Sequence, residues 1–265
     1  MTTGALIFAY NNEQIDYVAM AAWTAENIRR HLGIPVALVT DRPTKLKFEQ
    51  VIICESTSNN RRWFGDFNTT VEWHNSTRVN AYELTPWQST LVLDADYVVA
   101  SNQLQTVLES NEKFLAHRWA YDITGLDNFE GYNYFGNNQM PMWWATVMMF
   151  RRSDHARLIF ETMQMIYNNW NHYRHIYKNS KGTYRNDHAL SIALGVVNGH
   201  TLNHADIPWQ LASLTPEHKL KQLEQDCYRV EFLTPLQQPR WIDLKNQDFH
   251  AMGKQQLGEI IANPC

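Results

Sequence analysis

Cysteine is scarce in this chain. Cys54, Cys227 and Cys265 stand far apart, their number is odd, and no C-x-x-C pair occurs. That argues against a disulfide framework or a zinc knuckle and suits a reducing compartment. Long apolar runs are also missing. The first, Ala5 to Tyr10, is too short for a signal peptide and has no basic region ahead of it; nothing approaches the roughly 18 apolar residues of a membrane span. The expectation is a cytoplasmic protein without a membrane partner, in which the sequons at Asn68 and Asn75 carry no weight. Positive charge is not in excess: 23 Lys and Arg against 27 Asp and Glu give −4, so no broad basic face is advertised. The G-x-G-x-x-G, P-loop, G-x-S-x-G and H-E-x-x-H signatures are absent. No repeat, low-complexity tract or linker divides the chain, which reads as one domain over 1–265.

What is present is an ordinary globular composition, with 44% hydrophobic residues over 265 positions. A chain of this size buries roughly three quarters of its unfolded surface and needs no staple. The first 100 residues alternate between two periodicities. Gly4 to Tyr10 is a continuous apolar run, as in a strand buried on both faces. Val18, Ala21, Ala22, Ile28 and Leu32 repeat at helical spacing, and Gly33 is a natural stop. Ile34 to Thr40, Val51 to Cys54 and Leu91 to Leu93 read as further strands, and Asn80 to Leu84 as a short helix. This order predicts an α/β fold with a mostly parallel central sheet flanked by helices. Ligands of such sheets bind beyond the carboxyl ends of the strands. Residues 125–144 read as a long aromatic loop, Ser153 to Trp170 as a capped helix, Asp187 to Val197 as another, and the tail from Pro235 as a short run before His250.

Asp94-Ala95-Asp96 is the strongest chemical feature. Carboxylates at i, i+2 are common by chance, and Glu224 with Asp226 is a second pair. The first pair follows a buried strand, however, and on extended backbone both side chains point to one side. Two carboxylates there repel unless a cation joins them, and oxygen ligation suits Mg²⁺ or Mn²⁺. The alternative is one capping aspartate with a solvated neighbour.

Thr77 to Val99 (TRVNAYELTPWQSTLVLDADYVV) resembles the donor-site segment of the glycogenin-type, family-eight glycosyltransferases: a basic residue opening a helix, Leu-Thr, a buried strand, then D-x-D. Tyr10-Asn11 after the first strand, Asp41 after the second, and His250-Ala-Met-Gly253-Lys254 fit the same order. The resemblance implies a GT-A fold that holds a nucleotide sugar, UDP-linked, through a divalent metal. Residues 1–100 would form the nucleotide-binding half, and 101–265 the acceptor side with the late metal and phosphate motif. Asp94, Asp96 and His250 would ligate Mn²⁺ or Mg²⁺, and imidazole favours Mn²⁺. Arg78, Gly253 and Lys254 would approach the diphosphate, whose charge grows as the sugar departs. Tyr10 would stack on the base, with Asn11 or Asp41 bonding the nucleoside. Asn186-Asp187-His188 stands where the family keeps Gly-Asp-Gln near the transferred sugar, so Asp187 and His188 are the catalytic candidates. Each has a bland counterpart: Tyr10 in the core, Arg78 in a helix pair, Asp187 at a helix start.

The sequence also departs from the family. Gln255-Gln256-Leu257 follow Lys254 where the family has lysine, proline and tryptophan. The activity implied is transfer of a sugar to an acceptor hydroxyl, with retention, the acceptor being a glycan, a small molecule or a hydroxymethylated DNA base. Tyr121, Phe129, Tyr132, Tyr134, Phe135, Trp143 and Trp144 would either stack on it or pack under the loop. Arg61-Arg62 and Arg151-Arg152 hint at an anionic acceptor. Rival readings are a degenerate nucleotide-sugar-binding module and a sugar-phosphate nucleotidyltransferase. The latter normally has a Gly-rich loop where Tyr10-Asn11-Asn12-Glu13 stands.

Overall fold

A computed structural model of the chain describes residues 2–55, 61–64, 69–72, 75–178, 183–201 and 206–263, with the backbone alone at 61–64, 69–72 and 75–76. The first apolar run forms β1 (Thr3–Phe8). Asp16 caps α1 (Tyr17–Leu32) by accepting from Ala19 N, and Gly33 ends it at φ 66°, a left-handed conformation that glycine adopts without strain. Then come β2 (Val36–Thr40), β3 (Gln50–Ile53) and a hairpin of β4 (Arg61–Phe64) with β5 (Thr69–Glu72). A 3-10 turn over Asn75–Asn80 leads into α2 (Ala81–Leu84), β6 (Ser89–Leu93), β7 (Tyr97–Val98), α3 (Gln105–Glu109), β8 (Phe114–His117) and β9 (Ala120–Asp122). The expected aromatic loop is partly folded: it holds a 3-10 turn, Phe129–Tyr132, and a small hairpin of β10 (Tyr134–Phe135) and β11 (Met140–Pro141). β12 (Trp144–Arg151) is followed by α4 (Asp154–Asn168), capped by Ser153, then α5 (Trp170–Ile176) and α6 (Asn186–Val197). The chain closes with β13 (Leu211–Leu214), β14 (Lys219–Glu224), β15 (Cys227–Leu233), β16 (Pro239–Lys245), β17 (Phe249–Ala251) and α7 (Lys254–Ala262).

The central sheet has the order β3-β2-β1-β6-β12-β8. β3, β2, β1 and β6 are parallel as expected, but β12 runs antiparallel to both its neighbours, so the sheet is mixed. Its two faces are covered by different layers. Ala5, Ile7, Leu91 and Leu93 point into one core with α1 and α7; Leu6, Phe8 and Val92 point into the other with α4 and α6. Burial on both faces is why these strands read as unbroken apolar runs. Gly4 is required by packing: a Cβ there would lie 2.4 Å from the Trp87 ring, whose Nε1 donates to Ala5 O.

A second sheet, β7-β17-β13-β9, brings the C-terminal segment beside the carboxyl edge of the first. The antiparallel β14-β15-β16 sheet was not anticipated from sequence. Its strands alternate charged and apolar residues, as in Lys219-Leu220-Lys221, and lack the continuous runs of the central sheet. No described helix is long and apolar enough to cross a membrane. Arg151 donates to the carbonyls of Leu108 and Ser110, and Arg152 to those of Thr85 and Trp87; both bind backbone. The side chains of Arg61 and Arg62, and both sequons' asparagine side chains, lie outside the described ones.

Candidate functional site

Asp94 follows β6 directly, and its N–H donates to Thr146 O on β12 at 3.0 Å. The chain then turns: Tyr97 N–H donates to Asp94 O at 3.1 Å, and Thr24 Oγ1 of α1 donates to Ala95 O at 2.8 Å. Asp94 and Asp96 therefore converge through a turn, not through the extended alternation expected. His250 arrives on β17, and Ala251 N–H donates to Asp96 O at 2.9 Å. The result is a triad in which Asp94, Asp96 and His250 each offer one ligand atom, all within 4.8 Å of one another. His250 Nε2 lies 3.4 Å from Asp96 Oδ2, while its buried Nδ1 has no hydrogen-bond partner. Two carboxylates and an imidazole whose Nε2 faces them are a donor set that fits a divalent cation of the Mn²⁺ class.

Two of the chain's own cations flank the triad. Arg78 is 1% exposed on the 3-10 turn; its Nη1 donates to Ala145 O at 2.8 Å and its Nη2 to Asp94 Oδ1. Lys254, the first residue of α7, places Nζ 2.7 Å from Asp96 Oδ2. Burial alone would raise the Asp96 carboxyl, but Lys254 and then His250 outweigh it and hold it well below the usual carboxylate range. Burial works against the Lys254 ammonium, and Asp96 reverses that, raising it above the ordinary lysine value.

Tyr10 is buried beneath this arrangement, with its hydroxyl 2.7 Å from Thr77 Oγ1, so it supports the turn that carries Arg78. Burial is the main cause that raises its phenol above the ordinary value, against the Thr77 hydrogen bond. Asn11 Oδ1 accepts from Val18 N at the start of α1. Asp41, at the carboxyl end of β2, lies 3.5 Å from Arg42 Nε. Gly253 is not forced by its surroundings, because an added Cβ would meet Gln256 and Pro216 at 3.6 Å, an ordinary contact. Asp187 Oδ1 accepts from Ala145 N at 2.9 Å and Oδ2 from Arg185 at 2.9 Å. The backbone N–H and carbonyl of Ala145 thus link Asp187 to Arg78, and through it to Asp94. His188 is stacked between Phe135 and Trp170, with ring centroids 4.8 and 5.9 Å away. Of the aromatic stretch, Phe129, Phe135, Trp143 and Trp144 are buried, whereas Tyr121, Tyr132 and Tyr134 are more than a third exposed.

Sequence reasoning missed a polar row beside the triad. Ser213 on β13 is in register with His250 on one side and with Asp122 on the other. Aligned residues of parallel neighbours share a face of the sheet. Ser213 Oγ and Asp122 Oδ1, both buried, have no hydrogen-bond partner. Asp122 is the last residue of β9, and its place beside Ser213 is set by strand register. Asp122 Oδ2 accepts from Thr124 Oγ1, Leu126 N and Asp127 N, and Thr124 also lies 3.3 Å from His218, so a second group, Asp122, Asp127 and His218, is tied together internally.

No family model and no curated protein matches the chain. Solved structures with a similar layout include the glycosyltransferase GlyE of Streptococcus pneumoniae TIGR4, 12% identical with a TM-score of 0.43 over 78% of this chain and 46% of that one. The galactosyltransferase LgtC, in complex with donor and acceptor sugar analogues, is 14% identical with a TM-score of 0.48 over 73% and 70%. Mouse xyloside xylosyltransferase 1 is 12% identical with a TM-score of 0.45 over 81% and 88%. The aligned part spans about half the length of GlyE.

Proposed function

We propose that this chain is a metal-dependent GT-A glycosyltransferase that moves a sugar from a nucleoside diphosphate sugar, UDP-linked, to an acceptor hydroxyl with retention. One observation carries the reading: two acids from a single turn and a histidine from far along the chain meet within 4.8 Å, flanked by an arginine and a lysine. Two ionised carboxylates at close range repel, and cations beside them favour the charged form.

Asp94, Asp96 and His250 would hold Mn²⁺, or Mg²⁺ less favourably, which when bound supplies charge neutralisation and Lewis acidity to the diphosphate. Arg78 and Lys254 point donors at the same place, where negative charge grows as the sugar leaves. Asp187 has both oxygens committed to Ala145 and Arg185, which suits a fixed acceptor for sugar hydroxyls and not a nucleophile. Front-face attack assisted by the leaving group follows. Ser213 and Asp122, with their orphaned buried oxygens, extend the polar surface towards the acceptor. His188, stacked between two rings, has a packing position in this scheme.

The test is a nucleotide-sugar panel with Mn²⁺, reading released UDP with and without candidate acceptors. One donor should be hydrolysed slowly, and chelation should abolish this. Asp94→Ala and Asp96→Ala should each lower turnover by about 10²–10³-fold. Substituted proteins that bind and turn over donor like the parent would overturn the assignment. Mn²⁺-dependent UDP binding with no turnover of any donor would mark a binding module instead.

A further inference from the structure

Each carboxylate of the D-x-D turn already holds a positive partner, and the two partners differ in kind. Arg78 holds Asp94 and is fixed: it is 1% exposed, and the same guanidinium also donates to Ala145 O. Lys254 holds Asp96, but its side chain is 29% exposed and rises from the first turn of α7 on four methylenes. Its ammonium sits 2.7 Å from Asp96 Oδ2, the oxygen that His250 Nε2 also approaches at 3.4 Å. An ammonium and an imidazole therefore approach the same oxygen of Asp96, one of the residues that would hold a metal. Gln256, two positions on, is committed elsewhere: its Oε1 accepts from Leu220 N at 2.7 Å and its Nε2 donates to Pro216 O at 3.2 Å.

Charge balance gives this arrangement a consequence. Two carboxylates, Asp94 and Asp96, face two cations, Arg78 and Lys254. A divalent ion entering alone must compete with Lys254 for Asp96 and leaves the site with surplus positive charge. A diphosphate entering with it restores the balance and gives the ammonium new oxygens to bind. Resting on the proposed metal-dependent function, we infer that Lys254 is an internal stand-in cation, which holds Asp96 in the metal-free protein and transfers to the diphosphate when metal and nucleotide enter together. Metal alone binds weakly, and nucleotide and metal strengthen each other's binding reciprocally. A lysine suits this because its ammonium is a point charge on a flexible stem, whereas an arginine fork stays where its geometry is satisfied.

The experiment measures Mn²⁺ binding by the electron paramagnetic resonance of free Mn²⁺, with and without UDP, for the parent, Lys254→Met and Lys254→Arg. Lys254→Met should bind Mn²⁺ alone about tenfold more tightly, and UDP in saturating Mn²⁺ about tenfold more weakly. Lys254→Arg, which keeps a cation, should retain the parent's weak Mn²⁺ binding. Thermal unfolding is the control for folding: Mn²⁺ alone should raise the melting temperature of Lys254→Met more than that of the parent. If the parent binds Mn²⁺ and Lys254→Met binds it within twofold of the same affinity, the stand-in role is wrong while the metal site survives. If neither binds Mn²⁺ with or without UDP, the metal reading fails and takes this inference with it.

Discussion

Asp94 and Asp96 are two residues apart, yet the structure surrounding each is of a different kind. Asp94 is held from the central sheet: Thr146 O takes its N–H, Arg78 takes its carboxylate, and Arg78 is itself pinned to Ala145 O. Asp96 is met from the C-terminal segment, by His250 on a three-residue strand and by Lys254 on the first turn of a short helix. The first set is fixed by strand hydrogen bonds and burial on both faces. The second approaches across a sheet seam and ends in a side chain that remains partly in solvent. The two walls therefore differ in rigidity: one is pinned to the central sheet, and the other ends in a lysine whose side chain is 29% exposed.

The comparison can be broken first at its rigid wall. Arg78→Met removes the Asp94 partner and should destabilise the protein by about 2–3 kcal/mol in urea unfolding. That is the low end for a buried ion pair, because 20% of the Asp94 side chain stays exposed. Mn²⁺ should not recover this loss, in contrast to Lys254→Met. A loss well under 1 kcal/mol would place Arg78 with the movable set.

A smaller effect is expected where β1 meets Trp87. Gly4→Ala puts a methyl where the indole already lies and should cost about 1–3 kcal/mol by overpacking, read from the urea midpoint at constant slope. An unchanged midpoint would mean that the rigid half repacks freely.

The smallest effect concerns the seams of the C-terminal side, and its sign is specific. Burial pushes His117 down to about 4, against the opposing Trp209 carbonyl. Its contribution is present above the unfolded value near 6.5 and is lost as pH falls towards 4. Burial pushes Asp248 up to about 6, against the Ala100 N–H. Its contribution is present below the unfolded value near 3.8 and is lost as pH rises through 6. The two oppose each other, each by about 1–2 kcal/mol. Relative to the parent, His117→Phe should therefore gain stability as pH falls from 6.5 to 4.5, and Asp248→Asn should lose more. Parallel profiles in all three proteins would dismiss both seams as titrating elements.

The parts of this molecule that could be read in advance share a property. β1, β2 and β6 announced themselves because strands covered on both faces need apolar residues at every position. α1 and α4 announced themselves by helical spacing, with Gly33 ending the first and Ser153 opening the second. β12 gave no sign of its reversed direction, since buried strands look alike whichever way they run. The β14–β16 sheet escaped because its outward face is charged and its apolar positions are only alternate ones. At the site, the structure brings Asp94, Asp96 and His250 together, and it joins the two acids by a turn where extended chain was expected. Asp122 and Ser213 were not found, because their significance lies in strand register.

The sequence by itself determined the strands buried on both faces and the capped helices, since both follow from residue type and local spacing. Only the tertiary structure decided that Arg78 serves Asp94 while Lys254 serves Asp96, and that Ser213 lies in line with His250. Ion pairing and register depend on separations of a few ångströms between segments far apart in the chain, and packing alone sets those separations.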